Sequence, residues 1–287
     1  MLVLAGTVPI DGLGLTQGKC IYEGKTLKIG DTVLEGKYVT LGTAAMASAA
    51  SVTCQTLGIE PPHLITYGDT GMGDGTVKIM DYLAENIQGL GADVLTLHYL
   101  LPTREPFIRL VEALGKADPK PFFIADAGAL LNAKATGMAK QFDLFTPDPG
   151  ELSFIADANA AHPAYVQHFI FEVDDTEIER LSQKTWEEGN APRYLLVKAA
   201  VDHILVEGRV TGTVTEPLVP ALEAIGGTGD TITGIVSALI SSGMDPAEAC
   251  LKAARINRHM GAIIRPTPAT KIAQLIPAIA QAMGRVL

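Results

Sequence analysis

Apolar positions along the chain fall into two rhythms that take turns. Short, nearly continuous apolar runs at 1–5, 63–67, 94–98, 122–125, 144–145 and 194–197 predict buried strands. Between them lie stretches with helical character. Residues 43–57 are small and apolar and stop at Gly58, a residue suited to ending a helix. Residues 76–87 place Val77, Met80, Leu83 and Ile87 on one face. Further helices are expected at 106–115, 133–139, 151–155 and 174–189. Residues 20–41 alternate apolar and polar with glycine at the breaks, which predicts an antiparallel ribbon. Strands at 203–206 and 210–214 follow one another directly, and from 228 onward the pattern is helical, at 231–241, 246–260 and 270–283. Asp245 and Pro246 supply an N-cap and a first helical residue for the second of these. Residues 157–173 break the rhythm and are expected to be an insertion at the surface or at a subunit contact.

Strands alternating with helices across short loops imply a largely parallel sheet covered on both faces. An α/β chain of 287 residues without a linker or repeat is expected to form one domain over 1–287, with 20–41 and 157–173 as decorations.

Composition narrows the partners. With 22 Lys plus Arg against 32 Asp plus Glu, and no basic run, the chain is a poor candidate for nucleic acid. Three widely spaced cysteines, Cys20, Cys54 and Cys250, have neither disulfide nor metal-site spacing and suit a reducing, cytoplasmic setting. No run of about 18 apolar residues marks a membrane span. A homo-oligomer is expected, with the alanine-rich helix or the ribbon as candidate contacts.

The strongest chemical signal is Gly226-Gly227-Thr228-Gly229-Asp230, which runs directly into a helix. Glycines allow successive backbone N–H groups to face one concavity, and the helix start adds its positive dipole end. Such a nest stabilises a phosphate, and the spreading charge of a transferring phosphoryl group better still. Asp230, in the first turn, can take a proton from an attacking hydroxyl. The P-loop pattern is absent, and the dinucleotide fingerprint fails because helices, not a βαβ unit, follow.

Three weaker features accompany it. Asp148 and Glu151, in Thr146-Pro147-Asp148-Pro149-Gly150-Glu151, lie three apart and suit either Mg²⁺ or a helix capping box. The loop 68–76, with Asp69, Gly71, Gly73 and Asp74, suits either a substrate loop or a plain connector. Lys198, at a strand end, can reach a phosphate or sit at the surface.

Four segments in order give these features a family likeness: FFIADAGALL (122–131), DLFTPDPGEL (143–152), LLVKAA (195–200) and AIGGTGDTITGIVSALISSGMDPAEAC (224–250). Together they resemble the ribokinase superfamily, and within it the branch of ATP/ADP-dependent NAD(P)H-hydrate dehydratases. The resemblance implies a three-layer ribokinase-like fold and an ATP- or ADP-dependent enzyme. Asp230 would be the catalytic base, and Gly226, Gly227, Thr228 and Gly229 the phosphate-binding anion hole. Asp148 and Glu151 would govern Mg²⁺, with Asp148 standing where the family has Asn. Lys198 and Asn257 would border the nucleotide. The implied reaction phosphorylates the hydroxyl of the hydrate and then eliminates phosphate. The same parts would serve a small-molecule kinase, and a non-catalytic nucleotide-binding protein is a third reading. The chain departs from the family's Lys-Gly-x-x-Thr, reading Lys198-Ala199-Ala200-Val201-Asp202 instead.

Overall fold

A computed structural model describes residues 1–160 and 175–287. In chain order its elements are β1 (Leu2–Val8), β2 (Thr16–Glu23), β3 (Thr26–Ile29), β4 (Thr32–Leu34), α1 (Gly42–Leu57), β5 (His63–Gly68), α2 (Asp74–Leu90), β6 (Val94–His98), α3 (Arg104–Gly115) and β7 (Phe122–Ala125). Then come α4 (Gly128–Ala135), β8 (Leu144–Phe145), α5 (Pro149–Ala156), α6 (Asp175–Glu187), β9 (Tyr194–Val197), β10 (Asp202–Val206), β11 (Arg209–Val214), α7 (Thr228–Ser241), α8 (Pro246–Ile264), α9 (Ile272–Leu275) and α10 (Ile279–Val286).

The strands form one sheet in the order β11-β10-β9-β8-β7-β6-β1-β5-β2-β3-β4. From β5 through β9 the pairing is parallel. The hairpin β10–β11 closes one edge antiparallel, and the ribbon β2–β4 extends the other by pairing β2 with β5. The ribbon thus belongs to the main sheet, and it begins at Thr16, earlier than the alternation from residue 20 suggests. Thr16, Gln17, Gly18 and Lys19 pair with β5 ahead of the apolar positions that make the pattern visible.

Strand periodicity sorts the core into two layers. Leu4, Leu64, Val94, Ile124, Leu144, Leu196 and Ile204 pack on one face with α1, α7, α8 and α10. Val3, Ile65, Leu95, Phe123, Phe145, Leu195 and Leu205 pack on the other with α2 to α6. The architecture is therefore α/β with helices on both faces, as the alternation of strands and helices requires.

On the first face α1 and α7 lie against each other more intimately than any other helix pair. Gly234 makes this possible, since a Cβ there would sit 2.1 Å from the Met46 carbonyl oxygen. The alanines of α1 are buried here, inside the chain. Two helices differ from their sequence patterns. The expected 133–139 helix is α4, which starts directly after β7 and ends before Gly137, whose φ of +73° stops it. The expected 270–283 helix is split, because Pro277 lacks the amide hydrogen that continuity needs.

Residues 157–160 are tethered by Lys134, whose Nζ donates to the Asp157 and Ala160 carbonyls. The remainder of the expected 157–173 insertion lies outside the described residues. Among the described residues no helix is long and apolar enough to cross a membrane.

Candidate active site

The two-residue period that builds the core also builds the site. Continuing the α7-facing register past the carboxyl ends of the parallel strands brings up His98 after Thr96, Asp126 after Ile124, Thr146 after Leu144 and Lys198 after Leu196. All four project toward the first turns of α7, where parallel sheets place their ligand sites. There they border or underlie a cavity of about 460 Å³.

Helix α7 opens at Gly227, its N-cap, with φ of +98°, a conformation glycine adopts freely. The first-turn amides of a helix have no carbonyl above them. Gly227, Thr228 and Gly229 therefore line the cavity with a positive dipole end, the Thr228 amide making only a long bond, 3.4 Å, to the Ile225 carbonyl. Asp230 lies in that first turn, but its carboxylate turns away from the nest. Its Oδ2 accepts from the Gly42 amide at 2.6 Å, at the start of α1, and its Oδ1 lies 3.0 Å from His98 Nε2. The side chain keeps 12% of its surface exposed, toward the cavity.

Beneath it the charges interlock. Lys198 Nζ donates to both oxygens of Asp126, at 2.7 and 2.9 Å. Thr233 Oγ1 donates to Asp126 Oδ2 at 2.6 Å, and Thr146 Oγ1 lies 3.0 Å from Thr233 Oγ1. His98 Nε2 is 3.4 Å from Asp126 Oδ2, and its Nδ1 is 3.2 Å from Thr43 Oγ1. Burial would raise Asp126, but the Lys198 ammonium and His98 hold it well below the usual carboxylate range. Burial would lower His98, yet its hydrogen bonds to Asp126 and Asp230 raise it to about 9. Lys198 is likewise raised, against burial, by Asp126 and Glu151.

Two non-glycine residues stand just past β6 and β7 in positive φ, Tyr99 at 47° and Ala127 at 50°. Such conformations cost on the order of 1–3 kcal/mol each and persist only where the surroundings enforce them. Thr7 Oγ1 donates to the Tyr99 carbonyl at 2.7 Å, and the Ala127 amide donates to Asp126 Oδ1 at 2.8 Å. Both residues line the cavity.

Asp148 and Glu151 form a reciprocal capping box at the start of α5. The Glu151 amide donates to Asp148 Oδ1 at 2.7 Å, and the Asp148 amide donates to Glu151 Oε2 at 2.9 Å. Both also line the cavity. Burial, then Asp148 and Asp126, push the Glu151 carboxyl up to about 8. Each keeps one carboxylate oxygen outside the box, and this crowding of negative charge fits a cation.

Asn257 lines the same cavity and accepts from Thr231 Oγ1 at 2.7 Å. Gly226 sits just outside it, near Leu41. The loop 68–76 is elsewhere: Asp69 and Asp74 line a separate cavity of about 340 Å³ with Asp11 and Tyr67, while the Gly71 and Gly73 amides point at Asp69.

Sequence reasoning missed His98, Asp126 and Arg258. The first two follow from strand parity once the order of the strands is known. Arg258 bonds Asp202 Oδ2 at 2.7 Å and the carbonyls of Ala199, Ala200 and Thr215, so it pins the chain that follows Lys198.

A carbohydrate-kinase family model described as NAD(P)H-hydrate dehydratase matches residues 88–281. An uncharacterized protein of Methanocaldococcus jannaschii is 38% identical over 242 residues, which span 84% of this chain and 100% of that protein. Among solved structures, the Bacillus subtilis ADP/ATP-dependent NAD(P)H-hydrate dehydratase, co-crystallized with ATP and Mg²⁺, is similar over 100% of this chain and 91% of that one, with a TM-score of 0.57 and 18% identity. An Entamoeba histolytica pyridoxal kinase is similar over 97% of this chain and 94% of that one, with a TM-score of 0.57 and 16% identity. The fold is ribokinase-like, and the chain belongs to the carbohydrate-kinase family of NAD(P)H-hydrate dehydratases.

Proposed function

We propose that this chain is an ATP- or ADP-dependent NAD(P)H-hydrate dehydratase with Asp230 as its general base. The observation that carries the reading is the placement of Asp230, partly exposed in the cavity that the helix-start nest and Lys198 also line. Asp230 takes the proton of the hydrate's hydroxyl as that oxygen bonds to the terminal phosphorus and the nucleotide's bridging oxygen leaves. The amides around Gly227–Gly229 stabilise the charge spreading over the transferred group. The carbon–oxygen bond that now carries the phosphate then breaks, a proton leaves the neighbouring carbon, and the nicotinamide ring is restored. Asp148 and Glu151 would hold Mg²⁺, which neutralises phosphate charge when bound.

Turnover tests the reading. Purified protein is given hydrated NADH, Mg²⁺ and either ATP or ADP, and NADH absorbance is followed with released phosphate. Both signals should rise together with one of the nucleotides. A stable phosphorylated product without free phosphate would instead establish a small-molecule kinase, for which the same nest and base suffice.

A further inference from the structure

We propose that His98 is a positioning residue for Asp230: an imidazolium clamped between Asp126 and Asp230 that fixes the base's carboxylate and balances the charge beneath the phosphate nest. The inference rests on Asp230 being the base.

His98 is fully buried at the end of β6, so it cannot itself touch a substrate. Its Nε2 faces Asp230 Oδ1 at 3.0 Å and Asp126 Oδ2 at 3.4 Å. Ionised carboxylates only accept, so Nε2 carries a proton. Nδ1 faces the Thr43 hydroxyl at 3.2 Å, which can accept from it. With Gly42 holding Oδ2 and His98 holding Oδ1, the Asp230 carboxylate is fixed from two sides. It stands where the starts of α1 and α7 converge.

Charge decides the state of the ring. The groups facing it are Asp126 after β7, Asp230 on α7, and Tyr99 beside it. Lys198 after β9 sits one contact away through Asp126, and Glu151 on α5 adds its field to Asp126 and Lys198. Two carboxylates and one ammonium leave one negative charge under the nest. A protonated His98 makes the quartet neutral, and an anionic nucleotide then meets no buried repulsion. Because Lys198 and the imidazole already supply positive charge here, the Asp126–His98–Asp230 group has no need of a metal ion.

The elevated value near 9 agrees with this geometry. A group raised from an ordinary value of 6.5 lends the fold its full contribution below that pH, and the contribution disappears as pH rises through about 9.

The test separates this role from the reaction assigned to the protein. Histidine-selective ¹⁵N labelling, with the His98 resonances assigned by their loss in His98→Gln, reads the ring directly in the wild type. Both nitrogens should be protonated at pH 7, with titration well above the ordinary histidine range. A ring with one bare nitrogen at pH 7 overturns the proposal. Calorimetry with ATP and with ADP comes next. His98→Phe keeps the ring volume but leaves the buried negative charge, and should bind about 10-fold more weakly. His98→Gln, which can still donate to Asp230 but is also neutral, should bind as weakly as His98→Phe; recovery by this neutral donor removes the charge-balancing role. Equal binding by His98→Phe and wild type removes the charge-balancing role. Where dehydratase turnover is present, His98→Phe should lower kcat about 10²-fold through a misplaced base. If turnover of hydrated NADH is absent in the wild type, the proposed reaction fails while the ring's protonation and nucleotide affinity still decide the role of His98.

Discussion

Two glycine-rich loops in this protein begin helices in nearly the same way, and only one of them is open. Gly73 caps α2 with φ of 88° and ψ of −5°, and Gly227 caps α7 with φ of 98° and ψ of −11°. Each helix has an aspartate in its first turn, Asp74 and Asp230. At α2 a carboxylate from upstream occupies the nest. Asp69 Oδ1 accepts from the amides of Gly71, Met72 and Gly73, and its Oδ2 accepts from Thr76. Burial would raise Asp69, but these four amides hold it below its ordinary value. At α7 the acid at the matching spacing, Glu223, lies in the turn Pro220–Ala224 and accepts from none of the glycine amides, and Asp230 is drawn away by Gly42 and His98. The same backbone device is self-satisfied in one place and available to an external anion in the other. What separates them is whether the carboxylate four residues before the cap glycine, Asp69 or Glu223, reaches the amides.

The largest effect expected from this difference concerns Asp230. Asp230→Asn keeps the shape and removes the base, so turnover should fall about 10²–10⁴-fold. Nucleotide affinity should persist, because the nest itself is untouched. Loss of affinity in step with turnover would show that the α7 nest depends on the carboxylate, and the contrast with α2 would collapse.

Second in size is Lys198→Met. Asp126 is 1% exposed and would keep only His98 as a cationic partner. Breaking a buried pair from one side costs on the order of 3–5 kcal/mol. Chemical denaturation should show a loss of this order, whereas Asp230→Asn, whose side chain is partly exposed, should lose less. Comparable losses would mean that Lys198 is held by solvent rather than by Asp126.

The third test opens the closed nest. Asp69→Ala removes a carboxylate that satisfies four amides and should cost about 1–2 kcal/mol, in line with a helix N-cap. Sulfate should then raise the melting temperature of the variant by more than it raises that of the wild type. In the wild type the Asp69 contribution is present above pH 3.8 and fades as pH falls through its lower folded value. A sulfate response identical in both proteins would show that the α2 amides do not form an anion site without Asp69.

The contrast also marks what could be read from the chain. The strand–helix alternation gave the layers, because buried parallel strands are continuous apolar runs that stand out from amphipathic helices such as 76–87. The α7 nest was legible because Gly226, Gly227 and Gly229 with a first-turn acid run directly into an apolar helix. The chain alone does not tell the roles of Asp69 and Asp230 apart, since the partners that hold Asp230, Gly42 and His98, are 188 and 132 residues away and carry no local signature. His98 was hidden for another reason. A lone histidine at a strand end has meaning only once β6, β7 and β9 are aligned so that parity sets it beside Asp126 and Lys198. Arg258 was concealed inside a helix whose neighbours after β9 no local pattern connects to it.

The smallest effect tests how firmly each nest is built. An alanine at positive φ costs roughly 1–2 kcal/mol wherever it is placed. At position 73 the new Cβ would meet only Leu101 at 3.9 Å, so Gly73→Ala should pay that conformational cost and little else. At position 227 it would meet the Ile272 side chain at 3.0–3.1 Å. Ile272 is fully buried in the core on this face of the sheet, and has little room to retreat. Gly227→Ala should therefore be less stable than Gly73→Ala by about 1 kcal/mol, a crowding cost. In melting temperature that difference is roughly 2–4 °C for a chain of this size. A measured difference in this direction means that the open nest owes its rigidity to the wall behind it, which is what an unfilled anion site needs in order to keep its shape. Equal losses would mean that Ile272 yields, and that the α7 loop is no stiffer than the one Asp69 ties together.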